Sequence, residues 1–259
     1  SLTSTTLAEK VLGYSVSVKS MDLAGNVSDL SPALIVKVDT TPWDIATVPN
    51  LLESDDKGFE NDDDITNITQ PKLILSGLPA VPDSIRLFYN IGAGDVLCGA
   101  YRMGQGTLDT VMVSSVLSDN DDYSFTYIVI DSAGNESAES SGLTVTVDAT
   151  SPSQPATPDL TSGTDTGVSD SDNITNNTTI GFSVGSLTPG DRLYLKAGDV
   201  TLDDYVAIET TTQEITISDA ETAAYTAFSM DAAGNTSAAS SSLSVTVDIV
   251  EPNVSDVEI

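Results

Sequence analysis

The phrase Asp-x-Ala-Gly-Asn-x-Ser occurs three times in this chain, beginning at Asp22, Asp131 and Asp231. Each copy leads into a strand-like run that ends in a Val-Asp pair, at Asp39, Asp148 and Asp248. Internal repetition constrains the architecture before any local propensity does. The copies stand 109 and 100 positions apart. That period exceeds the ~20–50 residues of a helical solenoid unit and matches the ~100 residues of a β-sandwich domain. The phase divides the chain into residues 1–41, the C-terminal part of one unit, then 42–148 and 149–248, two full units, and 249–259, a linker or the start of the next repeat. About 40 residues rarely bury a core alone, so 1–41 is expected to be a remnant or to lack the strands that complete it.

Periodicity within the units is that of strands. Residues 34–38, 143–147 and 243–247 alternate apolar with polar, the mark of a strand with one buried face, and each is expected to bury its Leu and two Val residues. Upstream of each phrase lies a second such run, at 14–21, 123–130 and 225–230. The two runs are too close for a crossover helix, so they form an antiparallel hairpin, with Gly25, Gly134 and Gly234 supplying positive φ. Earlier in each full unit, 72–75 and 181–184 read as one strand, 86–89 and 192–195 as the next, and 111–113 and 215–217 as another. Short strands about ten residues apart with no helical period predict an all-β chain of tandem immunoglobulin-like β-sandwich domains in an elongated array. Pro42, Pro152 and Pro252 follow the Val-Asp pairs closely. Proline ends a ladder, and links this short require neighbouring domains to touch or nearly so.

The chain carries 9 Lys and Arg against 39 Asp and Glu, a formal net charge of −30, with no His and a single Cys98. Such a polyanion repels nucleic acid and destabilises its own compact state unless counter-ions gather on it. One cysteine forms no internal bridge, so no disulfide framework stabilises the fold. No apolar run reaches the ~20 residues of a membrane span, and no signal peptide is visible. A chain of this composition is expected to be soluble and exported, an interior slice of something longer. Without His there is no Ser-His-Asp arrangement and no base to activate Cys98, and the paired carboxylates recur on turns in every unit, so no enzyme is expected.

A second acidic phrase repeats at 55–66 and 164–175, where Asp56 matches Asp165, Gly58 matches Gly167, Asp63 matches Asp172, and Asp64 is replaced by Asn173. Asp62 and Asp170 add further carboxylates. Ca²⁺ takes six to eight oxygen ligands in irregular geometry, and loops dense in Asp and Asn meet that demand, although neither has EF-hand spacing. Zinc needs His or Cys and is excluded. The bland alternative is that Asp, Asn and Gly merely form turns; two matching loops and the charge favour Ca²⁺. In an immunoglobulin-type sandwich the last hairpin's loop lies at the pole where the chain enters. Asp39 should therefore approach Asp131 and Asn135, and Asp148 should approach Asp231 and Asn235, with Asp63 able to join the second set. Asp22, Asn26 and Asp248 occupy the same places in the flanking segments.

The succession of Asp-x-Ala-Gly-Asn-x-Ser, an alternating strand, Val-Asp-x-Thr, a Pro-containing link and the loop Thr164-Asp165-Thr166-Gly167-Val168-Ser169-Asp170-Ser171-Asp172-Asn173-Ile174-Thr175 resembles the bacterial immunoglobulin-like repeats of giant adhesins exported by type I secretion. The resemblance covers essentially the whole chain and implies calcium-stiffened stalk domains that project an adhesive region from a bacterial cell surface. It implies neighbouring repeats of the same chain as partners, a host-cell surface or glycan bound by another part of the protein, no membrane insertion, and a monomer. The first loop departs from the family pattern at Phe59, Glu60 and Asp64, so it is expected to bind differently or more weakly. The rival reading is a lectin-like, ligand-binding sandwich. Against it, aromatic residues make up 5% of the chain, and its one Trp, Trp43, sits beside a linker proline, where packing at a boundary is expected. Sequons at Asn26, Asn67, Asn135, Asn176, Asn177, Asn235 and Asn253 fall mostly on the repeated turns, where backbone geometry accounts for them.

Overall fold

The computed structural model describes residues 6–44, 47–78, 84–102 and 108–252; the sequon at Asn253 lies outside them. Among the described residues the regular structure is all strand. In chain order these are β1 (Lys10–Val16), β2 (Leu34–Val38), β3 (Asn50–Leu51), β4 (Ile65–Thr66), β5 (Lys72–Ser76), β6 (Ser84–Asn90), β7 (Val96–Arg102), β8 (Leu108–Met112) and β9 (Asp121–Ile130). There follow β10 (Leu143–Val147), β11 (Asp159–Leu160), β12 (Ile174–Thr175), β13 (Ile180–Gly185), β14 (Arg192–Ala197), β15 (Val200–Ala207), β16 (Thr212–Ile217), β17 (Ala223–Met230) and β18 (Leu243–Val247). The strands β7 and β15 and the two-residue pairs β3, β4, β11 and β12 have no counterpart in the periodicity of the sequence.

The chain packs into two compact units whose boundaries differ from those of the sequence repeats. The second gathers Leu51–Pro71, Val116–Asp122 and the chain from Val145 onward. It therefore holds the first acidic loop together with the whole second repeat. That repeat is a two-layer sandwich: one sheet runs β12-β18-β17-β14-β15 and the other β11-β13-β16. Between them lie Phe182, Leu193, Leu195, Tyr225 and Ala227, all essentially buried. The Tyr225 hydroxyl donates to the Glu221 carbonyl at 2.8 Å, which satisfies the one polar atom its ring carries inward.

The first unit contains the equivalent pieces. β6 pairs antiparallel with β7 and β9, and β5 with β8. Leu73, Leu75, Ile85, Leu87 and Phe125 are fully buried. Register fixes the correspondence between repeats. Ser84 pairs with Ile130 and Arg192 with Met230, each partner standing directly before an Asp-x-Ala-Gly-Asn turn. Arg192 therefore corresponds to Ser84, and Arg86 to Tyr194.

The first segment forms a two-stranded sheet, β1 with β2, in which Tyr14 opposes Val36. Here the expected burial of the last strand fails at Leu34, which is 65% exposed, and is met only halfway at Val36 and Val38. In the full repeats Val145, Val147 and Val245 are buried as expected, while Leu143, Leu243 and Val247 are half-buried. Alternation selects a face; burial needs an opposing layer as well. Trp43 keeps 39% of its surface exposed.

Candidate functional site

The two acidic loops share one scaffold. Each opens in a tight turn, with the Asp55 and Asp56 amides bonded to the Leu52 carbonyl and those of Thr164 and Asp165 to the Thr161 carbonyl. Each is pinned underneath by a buried threonine: Thr66 Oγ1 donates to the Asp55 carbonyl and Thr175 Oγ1 to that of Thr164. Each closes on its leading carboxylate, Asp56 Oδ2 accepting from the Asp64 amide at 3.4 Å and Asp165 Oδ2 from the Asn173 amide at 3.1 Å. Asp63 and Asp172 accept from the amides two residues on, Ile65 and Ile174, both at 3.1 Å. The exchange of Asp64 for Asn173 has a backbone reason. Both residues have positive φ, 58° and 61°, a region that Asp and Asn tolerate better than other side chains. Asp62, Asp63, Asp170 and Asp172 stand exposed on the loop surface, and Asp170 lines an open cleft with Asp165.

Inside this scaffold, oxygens are left without partners. Asp56 is 5% exposed and Asp165 3%, and the Oδ1 atoms of Asp56, Asp165 and Asn173 are buried with no hydrogen bond. A buried unsatisfied carboxylate oxygen is costly. Burial, reinforced by the charges of Asp63 and Asp64, pushes the Asp56 carboxyl up to about 6. Burial and the charges of Asp63 and Asp62 raise Asp64 as well.

The three Asp-x-Ala-Gly-Asn turns are closed by their own side chains. Asp131 Oδ1 accepts from the amides of Ala133 and Asn135 at 2.9 and 2.8 Å, and its Oδ2 accepts from Asn135 Nδ2 at 2.7 Å. Asp22 with Asn26 and Asp231 with Asn235 repeat the arrangement. These bonds hold the Asp22 and Asp131 carboxyls below the usual carboxylate range. The next two serines complete the ladder beyond each turn. Ser137 and Ser140 hydroxyls accept from the Val129 and Tyr127 amides, and Ser237 and Ser240 do the same for Ser229 and Ala227.

The exit aspartates lie beside these turns. Asn135 Nδ2 donates to the Asp39 carbonyl at 3.2 Å, and Asn235 Nδ2 to the Asp148 carbonyl at 2.8 Å. The carboxylates of Asp39, Asp148 and Asp248 cap the amides of Thr41, Thr150 and Val250. Burial of the turn rises along the chain: around Asp22 it is exposed, around Asp131 half-buried, and Asp231 and Asn235 are buried. The last is covered by the first acidic loop. A Cβ on Gly58 would overlap the Ala232 carbonyl, and a Cβ on Gly234 would lie 2.9 Å from the Gly58 nitrogen.

One carboxylate absent from the sequence reading joins this group. Asp191, in the turn before β14, is 8% exposed and its Oδ2 is buried without a partner. Burial, together with the charges of Asp231 and Asp148, pushes it up to about 6. The signal for it was present: Asp83 precedes Ser84 as Asp191 precedes Arg192, although Asp83 lies outside the described residues. Among the described residues no three His, Cys, Asp or Glu side chains converge closely enough to hold a metal ion by themselves. What each place offers is one buried carboxylate with an orphaned oxygen, beside the charges of neighbouring aspartates and, in the second loop, the orphaned oxygen of Asn173. That is a donor set suited to a hard cation and unsuited to zinc.

The family match agrees with this architecture. Residues 44–149 and 151–249 each match the family described as bacterial Ig-like domain. Exoglucanase B of Cellulomonas fimi is 32% identical over 248 residues, 90% of this chain but 20% of that protein, so the chain spans about a fifth of its relative. Among solved structures, the chicken CNTN1 FN1-FN3 domains align over 90% of this chain and 77% of their own at 9% identity and a TM-score of 0.49. A tetra-tandem repeat from the extending region of a large adhesion protein aligns over 89% and 56% at 16% identity and a TM-score of 0.32. A 1.5-MDa bacterial ice-binding adhesin aligns over 90% and 74% at 18% identity and a TM-score of 0.31. The two family matches cover most of the chain, and it belongs to the bacterial Ig-like domain family.

Proposed function

We propose that this chain is a run of non-catalytic extender repeats from a secreted bacterial surface protein, stiffened by Ca²⁺ held at its acidic loops and at the turns beside them. The observation that carries the reading is the set of orphaned oxygens. Asp56 Oδ1 and Asp165 Oδ1 occupy matching positions in two repeats, each buried and unbonded, and Asp191 Oδ2 stands likewise. A defect that recurs in the same place is a built feature, and a divalent cation removes both the missing partner and the repulsion. Asp56, Asp63, Asp64, Asp165, Asp172, Asn173, Asp148, Asp191, Asp231 and Asn235 are the residues that would hold it, with Asp22, Asn26, Asp39, Asp131, Asn135 and Asp248 serving the flanking junctions and Asp62 and Asp170 adding field at the loop surface. Ca²⁺ supplies charge neutralisation, and the chain supplies oxygens fixed on turns.

The test is thermal unfolding with Ca²⁺ and with chelator. A ligand that binds only the folded state adds about 2.7 kcal/mol at 100 times its Kd, which for a ~100-residue domain raises the midpoint on the order of 10 °C. A midpoint unmoved by millimolar Ca²⁺ overturns the reading.

Similarity to part of an exoglucanase favours a second context, in which the same repeats act as a spacer inside a secreted polysaccharide-degrading protein. Adhesion and catalysis would then both reside elsewhere in the full-length protein, and the physical role of these repeats is the same. A lectin-like role has less support. On the outer sheet face Tyr194 stacks on Phe228 at 5.1 Å and meets a tilted Tyr205 at 5.5 Å, so these rings are engaged with one another and do not form a free platform for a sugar. Reproducible binding of one glycan class by the fragment on an array would reverse that preference.

A further inference from the structure

The first acidic loop carries two residues that the second lacks, Phe59 and Glu60 against Val168 and Ser169. They meet Arg192. Its guanidinium lies 4.1 Å from the centroid of the Phe59 ring and 4.6 Å from that of Tyr205, so it sits between two aromatic faces, and its Nη2 is 3.6 Å from Glu60 Oε1. A guanidinium is weakly hydrated and stacks well on rings, and such contacts strengthen as water is excluded. Arg192 is also held in place from behind. Tyr205 packs on Tyr194 with planes tilted by 33°, Tyr194 stacks on Phe228 with planes 15° apart, and Lys196 covers Phe228. The result is a stack with a cation at either end, fixed on the rigid β14, β15 and β17.

Every part of this arrangement differs from its counterpart in the preceding repeat. By strand register the positions of Arg192, Tyr194, Tyr205 and Phe228 are taken in the preceding repeat by Ser84, Arg86, Ala100 and Ile128. There Arg86 instead pairs with Glu136 at 2.7 Å. The donor residues of the loop and the receiver residues of the sheet therefore occur together, at the junction where Gly58 and Gly234 bring the two backbones into contact. In a chain with only 9 basic residues among 39 acidic ones, one of them is committed to a loop of carboxylates.

We infer that Phe59, Glu60, Arg192 and Tyr205 form a metal-independent clasp that fastens the loop 55–64 to the outer face of β14 and β15, so that this junction stays closed when divalent ions are removed. The clasp does not rest on calcium binding. Its energy comes from cation–π stacking, with the Glu60 pair, 64% exposed on the acidic side, contributing little in salt.

Trypsin cleavage after Lys57, exposed within the loop, reads the clasp directly when every arm is run in chelator. The intact chain should resist cleavage at Lys57, and Arg192→Gln should speed it at least tenfold. Phe59→Ser should do the same while altering only the loop, which keeps the test decisive if Arg192→Gln disturbs the sheet. Glu60→Gln should change the rate by less than threefold. Rapid cleavage of the unaltered chain in chelator overturns the clasp, as does a Phe59→Ser rate equal to that of the unaltered chain. Because no arm contains Ca²⁺, a failed calcium titration leaves this result untouched, and the reverse also holds.

Discussion

The loops 55–66 and 164–175 have the same fold and different surroundings. Both place a threonine under the first turn, both bury the leading aspartate, and both reach positive φ at the matching Gly and Asp or Asn. Yet Gly58 abuts Ala232 and Gly234 while Gly167 has open space around it, and Phe59 packs on Arg192 while Val168 is fully exposed. The loop's shape is thus set within its own repeat and does not depend on cover over its tip. What a neighbour adds is cover for the tip and a second set of carboxylates.

The sharpest way to break that comparison is to add one methyl group at each glycine. Gly58 and Gly167 have φ of 119° and 111°, so an alanine suffers similar backbone strain at both, on the order of 1 kcal/mol. Only Gly58→Ala also drives a Cβ into a neighbouring carbonyl, an overpacking that adds about 1–3 kcal/mol. Denaturant unfolding should therefore show Gly58→Ala costing about 3 kcal/mol and Gly167→Ala about 1 kcal/mol. Equal losses would mean that the glycines serve only their own turns.

Next in size are Thr66→Val and Thr175→Val. Each leaves a loop carbonyl without its donor inside a buried turn, at about 2 kcal/mol. Here the two loops should respond alike, since both threonines are buried and both bonds are internal. A difference greater than about 1 kcal/mol would show that the cover over the first loop also supports its base.

Smaller, but distinctive in sign, are Asp56→Asn and Asp165→Asn. In chelator each replacement removes a buried charge with an unbonded oxygen and should raise the midpoint by an amount worth about 1 kcal/mol. In saturating Ca²⁺ each should lower it. Loss of stability in both conditions would assign these carboxylates to the turn alone.

Legibility followed the range of the cause. Turns and alternating strands are local, so the repeat spacing, read with the geometry of an immunoglobulin-type sandwich, brought Asp148 near Asn235 and identified the strands from β5 to β18 that alternate clearly. Two-residue strands such as β4 and β12 exist only because β10 and β18 supply a parallel partner, and no periodicity announces them. The segments 86–89 and 192–195 begin with the same residue, yet register sets Arg192 against Ser84, because strand pairing is decided across the sheet. Asp191 does not stand out in the sequence, because a lone Asp in a Pro-Gly-Asp turn is ordinary; its burial beside Asp148 and Asp231 comes from packing. Phe59 and Glu60 stood out as departures from the family pattern, but their partners on β14 and β15 are more than 100 residues away in sequence.

The effect spread most thinly over the chain is its response to pH. The Asp56 and Asp191 carboxyls, raised to about 6 by burial and like charge, stand above the 3.8 of a free aspartate. The folded state then holds their protons more tightly than the unfolded state does. Their contribution is complete below about 3.8, falls as pH rises, and is gone above about 6. Asp22, Asp119 and Asp131 are shifted the other way by the hydrogen bonds they accept, so their contribution is lost on acidification below about 3.8. Without divalent ions the melting midpoint should accordingly peak between about pH 4 and 5 and decline toward neutrality, helped by the growing repulsion of a chain with formal charge −30. Asp56→Asn and Asp191→Asn should each flatten the decline from the side of the covered loop. Ca²⁺ requires ionised carboxylates, so the stabilisation it gives should shrink as pH falls and vanish near pH 4. A metal-free midpoint that climbs steadily from pH 5 to 7.5 would show that these two carboxylates are better solvated than their burial implies, and the covered loop would then differ from the open one in its packing alone.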